Sequence, residues 1–432
     1  MNRLIFSIAT ILLGSPLFSQ VHFSNIKDVF QYADEHSSVA KQGKIEQAVS
    51  EQDIGMIRAG LLPRLNAFGT AEYAPIMASQ VIPESAFGGQ EGKFRKVQFG
   101  MPWNFSSGIE LTAPVINLEK WAQLEKAKLQ SIEISWSQKA RLENLHTQIT
   151  QWYYQALTAK EMIRLNEENI QVVNELMRIL DERKKNGVLD PADYNRSKNL
   201  QLNIETAARD YQKLWEQSNI VLRSLLNIPA TVSFTLIDSI TFFEWQLNDY
   251  NTSKISQRPA WNESVAKTEV AKKALIESSK SALPKLSLAS RYMYNWQMNS
   301  SQNIHFDVNT IGLRLDYTLF NGGYQRRQQK KADLLLQSAT IQQQQTESGL
   351  IQQQQEWWSN YSAALAKKNL LESKVNAATE NLRIARLNLK EGVMEFDEFS
   401  NIFSEFTRAR MEQLQNLSDG IIFHLLLTNN IQ

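Results

Sequence analysis

Polar and apolar residues alternate with a period of two from Leu313 to Leu319. Leu313, Leu315, Tyr317 and Leu319 take one face of a strand, and Arg314, Asp316 and Thr318 take the other. Asn321-Gly322-Gly323 follows, and beyond it the chain adopts the three-and-four spacing of a long helix. The same succession occurs twice. "KNGVLDPADY" (185–194) matches "KEGVMEFDEF" (390–399), "QWYYQAL" (151–157) matches "EWWSNYS" (356–362), and "LTAPVIN" (111–117) matches "LDYTLFN" (315–321), each about 205 residues apart. "LLPRL" (61–65) and "ALPKL" (282–286) add a fourth pair in the same order. Two copies of one architecture are predicted.

Each copy opens with two strands. In the second copy Leu286, Leu288, Ser290, Tyr292, Tyr294 and Trp296 share one face and Ser287, Ala289, Arg291 and Asn295 the other; a polar link near Asn299 to Asn303 leads to the strand ending near Phe320. The first copy has its strands at about 64–78 and 97–115, with a longer loop through Gly88-Gly89, and Pro102 and Pro114 argue against an unbroken ladder in the second of them. After each pair comes helix. No glycine or proline occurs from Leu118 to Asn186, and an unbroken helix over that stretch reaches about 100 Å. Within it Leu142, Leu145, Ile149, Trp152, Ala156, Val173, Met177 and Leu180 belong to a heptad-like row interrupted at Asn166. Trp357, Tyr361, Ala364, Leu382, Ala385 and Leu389 form the second row, interrupted at Lys368. The rows end at Gly187 and Gly392, where helices return antiparallel.

The expected division is therefore a signal segment over 1–19, an amino-terminal helical segment over 20–63, a strand pair over 64–116 and a helical hairpin over 117–228 with its tip near 187. A connector over 229–258, a helix over 259–283, a strand pair over 284–320 and a second hairpin over 321–432 with its tip near 392 complete it. The signal rests on Arg3, the apolar run Leu4 to Leu13, Pro16 and Ser19. No later run is long and apolar enough for a membrane helix. Four strands cannot close a barrel, since single-chain barrels need about eight, and open edges facing lipid leave backbone groups unsatisfied. Three copies supply twelve strands, with the helical hairpins gathered into a continuous tube. On that reading Arg291, Arg314 and Asp316, on the polar strand faces, line the barrel lumen.

Composition narrows the chemistry. Loss of Arg3 with the signal takes the formal net charge from +1 to zero, which argues against a nucleic-acid partner. With no cysteine, neither a disulfide, a thiolate metal site nor an acylated cysteine anchor is available. His22, His36, His146, His305 and His424 lack ligand spacing, and no catalytic set or phosphate-binding loop appears, so neither an enzyme nor a cofactor is expected.

The signal, the duplication, the LLPRL and ALPKL stretches, "RPAW" (258–261), "YTLFNGG" (317–323) and the two G-V-x-[DE] tips together resemble the TolC family of outer-membrane efflux proteins. The resemblance implies a mainly α fold with β: long antiparallel helical hairpins forming a periplasmic α-barrel, and four strands per chain contributing to a trimeric 12-stranded outer-membrane β-barrel. It implies a homotrimer seated in outer-membrane lipid, docked to a periplasmic adaptor protein and an inner-membrane pump. Gly187, Val188, Leu189, Gly392, Val393 and Met394 are the adaptor-docking positions so implied. Position three after each tip glycine, often a small hydroxyl residue in relatives, is Asp190 or Glu395 here. With Asp193 and Glu398, these acids are candidates for a periplasmic gate; the plainer alternative is that they cap the return helices. A type I secretion conduit and a secreted structural coiled coil are the rival functional readings.

Overall fold

The computed structural model of the chain describes residues 21–187, 190–240 and 252–429. The expected signal segment, tip residues Val188 and Leu189, and part of the connector lie outside the described residues. In chain order the elements are β1 (Val21–Phe23), α1 (Ile26–His36), α2 (Ser38–Ala59), β2 (Arg64–Tyr73), β3 (Ser79–Pro83), β4 (Phe94–Gln98) and β5 (Trp103–Ile116). There follow α3 (Leu118–Lys185), α4 (Pro191–Leu225), β6 (Phe234–Leu236) and α5 (Pro259–Lys280). The chain ends with β7 (Lys285–Met298), β8 (Asn303–Asp316), α6 (Tyr324–Glu391) and α7 (Phe396–Asn429). It divides into two compact units, one of residues 47–134 and 264–343, the other of residues 1–46, 135–263 and 344–432.

The first of these units carries a four-stranded antiparallel sheet in the order β2-β5-β7-β8. Its outermost strands, β2 and β8, each have one unpaired edge among the described residues. β8 stops at Asp316, which pairs with Lys285. The alternation in the sequence continues to Leu319, but the partner strand begins immediately after Pro284, which has no N–H to donate. Residues 317–320 therefore lie outside the ladder. Pro114 sits beside a register shift between Pro114 and Ile116, a bulge that accommodates a residue unable to donate. The loop between β2 and β5 holds an antiparallel hairpin, β3 with β4, that the alternation pattern does not announce.

The strand-to-helix junctions use the same chemistry twice. Asn117 Oδ1 accepts from the Lys120 N–H at 3.0 Å, and Asn321 Oδ1 accepts from Gln325 N–H at 3.4 Å. Gly322 and Gly323 take φ values of +66° and +80°, the left-handed backbone that turns the chain into α6.

α3 and α6 each run 68 residues, about 100 Å of helix. In the second unit α3 packs with α4, α6 and α7 around one apolar core and with α1 and α4 around another. One gathers Val173, Met177 and Leu180 with Leu382, Ala385, Leu389, Phe399 and Phe403. The other gathers Leu145, Ile149, Tyr153 and Ala156 with Phe23, Val29, Leu222 and Leu226. The break at Asn166 is filled: the residue is 2% exposed and donates from Nδ2 to the Ile204 carbonyl at 3.1 Å. Arg258 of the RPAW stretch is also buried, donating from Nε to Glu143 Oε1 and from Nη1 to Gln353 Oε1, each at 2.9 Å, with its guanidinium 5.4 Å from the Trp357 ring. Burial pushes the Glu143 carboxyl up in pKa, against the pull of Arg258. Loss of either charge would strand the other in the interior.

Candidate functional site: the hairpin tips and the two sheet faces

The first tip forms where α3 ends. Gly187, at φ +72°, donates its N–H to the Lys184 carbonyl at 3.1 Å. Asp190 then opens α4: its Oδ1 accepts from Ala192 N–H at 2.8 Å, and Pro191 occupies the first helical turn, where its missing N–H is not needed. At the second tip Gly392 (φ +75°) donates to Leu389 and Val393 donates to Asn388, the paired bonds of a Schellman motif. Val393 is 80% exposed, whereas Met394 is half-buried against the core formed with Phe396, Phe399 and Phe403.

Charges tie the tips to each other. Arg183 Nη2 donates to the Leu389 carbonyl at 2.8 Å, so a side chain of α3 closes the carboxyl end of α6. Arg196 on α4 reaches both Asp193, at 3.4 Å, and Asp397 on α7. Lys184 lies 3.6 Å above the Tyr194 ring, and the Asp181 carboxylate beside that phenol raises its pKa. Of the four acids singled out from the sequence, Asp190 caps a helix and Asp193 pairs with Arg196. Glu395 and Glu398 are exposed and have no ion-pair partner among the described residues. Arg196 was not singled out by sequence reasoning, although it stands three residues after Asp193 on the helix, a spacing that favours such pairs. Beside the tips, α3, α6 and α7 frame a groove of about 740 Å³ lined by Val172, Leu176, Ile179 and Leu387. Arg386–Glu175 and Arg410–Glu168 ion pairs, at 2.7 and 2.9 Å, stand beside it.

In the sheet, the register assigns every residue to a face, because directly paired residues point the same way. Arg64, Asn66, Glu72, Asn104, Glu110, Lys285, Arg291, Arg314 and Asp316 share one face. Leu65, Ile109, Leu111, Leu286, Leu288, Ile311, Leu313 and Leu315 share the other. On the polar face Arg314 Nε donates to Asp316 Oδ1 at 3.0 Å, Thr70 and Ser106 hydroxyls lie 2.6 Å apart, and the Arg291 guanidinium stands 4.5 Å from the Phe68 ring. On the apolar face aromatic rings cluster at the end away from the strand-to-helix junctions. Tyr73 and Trp103 are 4.5 Å apart by ring centroid, and Phe105 and Trp296 are 5.2 Å apart. A polar face, an apolar face and a girdle of aromatics at one end are the properties of a membrane β-barrel wall. Among the described residues no group of His, Asp and Glu gathers as metal ligands, and no helix is long and apolar enough to cross a membrane.

Residues 33–227 match the model of the outer membrane efflux protein family. No curated protein matches the chain in sequence. Among solved structures, a membrane protein from Pseudomonas aeruginosa superposes with a TM-score of 0.77 at 14% identity, covering 94% of this chain and 93% of that one. The outer membrane protein VceC from Vibrio cholerae gives 0.75 at 15%, covering 94% and 95%. The Campylobacter jejuni CmeC outer membrane channel gives 0.75 at 15%, covering 100% and 93%. In sequence the first repeat matches the outer membrane efflux protein family, and over nearly its whole length the chain has the fold of these outer-membrane channels.

Proposed function

We propose that three copies of the chain form a passive outer-membrane duct of a tripartite efflux system, in which an inner-membrane pump supplies the energy and a periplasmic adaptor links the two. The observation that carries this reading is the sheet with one polar face, one apolar face and two open edges. Open edges cannot face lipid. β2 and β8 run in opposite directions, so β8 of one copy beside β2 of the next continues the antiparallel order, and twelve strands close the wall. Arg291, Arg314 and Asp316 then line an aqueous lumen, because an arginine on the lipid face at mid-depth would cost about 2–4 kcal/mol. The tips are the proposed adaptor contacts. Gly187 and Gly392 shape the turns and Val393 offers an exposed apolar side chain, whereas Met394 contributes chiefly by packing. Val188 and Leu189 retain this role by resemblance. Asp190, Asp193, Glu395 and Glu398 are proposed to hold the closed state.

The chain lacks cysteine, so introduced thiols are read without background. In outer-membrane vesicles, Arg291→Cys and Arg314→Cys should react with a water-soluble maleimide, while Leu313→Cys and Leu315→Cys should not. Amine cross-linking of the same membranes should trap three chains. The reverse labelling pattern, or a stable inserted monomer, overturns the reading.

A further inference from the structure

The open edges of the sheet also say which helices of neighbouring copies meet. β2 is preceded by α2 and β8 is followed by α6. Where β8 of one copy pairs with β2 of the next, these two helices are carried side by side across the boundary. Both present an exposed apolar row on that part of their length. Val49 and Met56, seven residues apart on α2, are 54% and 65% exposed; Leu334 and Ile341, also seven apart on α6, are 53% and 56% exposed. A seven-residue apolar repeat is the spacing of a helix seam.

Neither row is occupied within its own chain. α2 uses its opposite side for neighbours in the chain, where Ser50 donates to Ser131 Oγ at 2.8 Å. α6 likewise turns Gln325 and Gln329 toward α5 and the turn after it, donating to Ser281 Oγ at 2.6 Å and Ser279 Oγ at 3.2 Å.

Depth and charge agree. Val49 lies ten residues before the end of α2 and Leu334 ten residues after the start of α6, so each stands about 15 Å along its helix from the strand-proximal end. One turn nearer the strands, α2 presents Asp53 and α6 presents Lys331, both exposed and neither with an ion-pair partner among the described residues. The two helices run antiparallel, so Val49 meets Leu334 at one depth and Asp53 meets Lys331 about one turn nearer the strands.

We infer that α2 of one copy and α6 of the next form a subunit seam in which Val49 packs against Leu334 and Asp53 pairs with Lys331. The inference rests on the three-copy duct and commits to a second copy of this chain as the occupant of both rows. Full-length chain carrying Val49→Cys and Leu334→Cys, oxidised in outer-membrane vesicles, should give disulfide-linked dimers and trimers that neither single variant gives. Should that pair fail to insert, Asp53→Cys with Lys331→Cys supplies the same readout. Asp53→Lys should lower the yield of heat-stable trimer, and adding Lys331→Asp should restore it. If amine cross-linking still traps three chains but no intermolecular disulfide forms, the seam is overturned while the trimer stands, and lipid or another partner covers these rows. An intramolecular disulfide likewise overturns it. Absence of any three-chain product overturns the duct and the seam together.

Discussion

Gly108 and Gly312 lie on the same polar face of the sheet, and their surroundings assign them opposite tolerances. A Cβ at Gly108 would stand 2.1 Å from the Tyr292 carbonyl oxygen and 3.1 Å from the Phe68 ring, whereas at Gly312 nothing lies within 4 Å. The first contact involves the backbone of the paired strand, which cannot swing aside as a side chain can. Gly108→Ala should therefore force β5 and β7 apart and sharply reduce heat-stable trimer in the outer membrane, while Gly312→Ala should leave the yield unchanged. Equal yields from the two variants would mean that β5 and β7 are not held in this register. The tips teach a related lesson about single residues. Asp190 and Glu395 occupy equivalent places in the repeat, yet Asp190 caps α4 and Glu395 is solvent-exposed without an ion-pair partner among the described residues. Asp190 is followed by a proline at the first helical position, which fits its capping geometry, while Glu395 is followed by the buried Phe396. Equivalent position in a repeat does not imply equivalent work.

Among the helices, the question is whether apolar packing or the ion pairs at the tips hold the hairpins together. Arg196 and Asp397 are 53% and 51% exposed in their side chains, and such a pair contributes about 0.2–1 kcal/mol. Phe403 is 1% exposed in the core beneath, and truncating a buried phenylalanine costs about 3–5 kcal/mol. Phe403→Ala should thus lower the urea midpoint for loss of helical circular dichroism far more than Arg196→Ala does; the opposite ranking would assign the tips to electrostatics. The long helices were legible in the sequence because their signals are local: a heptad row, no interior glycine or proline, and a glycine where the left-handed turn comes. What escaped was set by distant residues. The end of β8 depends on Pro284, just before its partner strand, not on the alternation within β8 itself. The β3–β4 hairpin is built from short strands, one ending in Pro83 and the other carrying Arg95 and Lys96, so neither shows an apolar face of its own. Arg196 and Asp397 are 201 residues apart, and only the packing of α4 with α7 brings them together.

For the whole molecule, the proposed three-copy duct would leak if open at rest, so closure has to be built into that assembly, and the tip acids are the proposed means. Within one chain Arg183 and Arg196 already tie the first tip to the second. That leaves Glu395 and Glu398, and likewise Lys185 and Lys390 at the helix ends, exposed and without an ion-pair partner among the described residues, with charges available to a neighbouring copy. Each wet pair is worth only about 0.2–1 kcal/mol, but threefold repetition multiplies it, and two states of a gate commonly differ by only a few kcal/mol. The combined variant Asp190→Asn, Asp193→Asn, Glu395→Gln and Glu398→Gln tests this cleanly. Asparagine still caps a helix, and the packing of Phe396, Phe399 and Phe403 is untouched, so trimer yield should not fall. Conductance in planar bilayers should rise, and cells should become more sensitive to large antibiotics. Unchanged conductance in a well-assembled quadruple variant would locate the closure away from these acids, leaving Asp190 as a helix cap, Asp193 as half of an intrachain clasp, and the two glutamates as solvated surface.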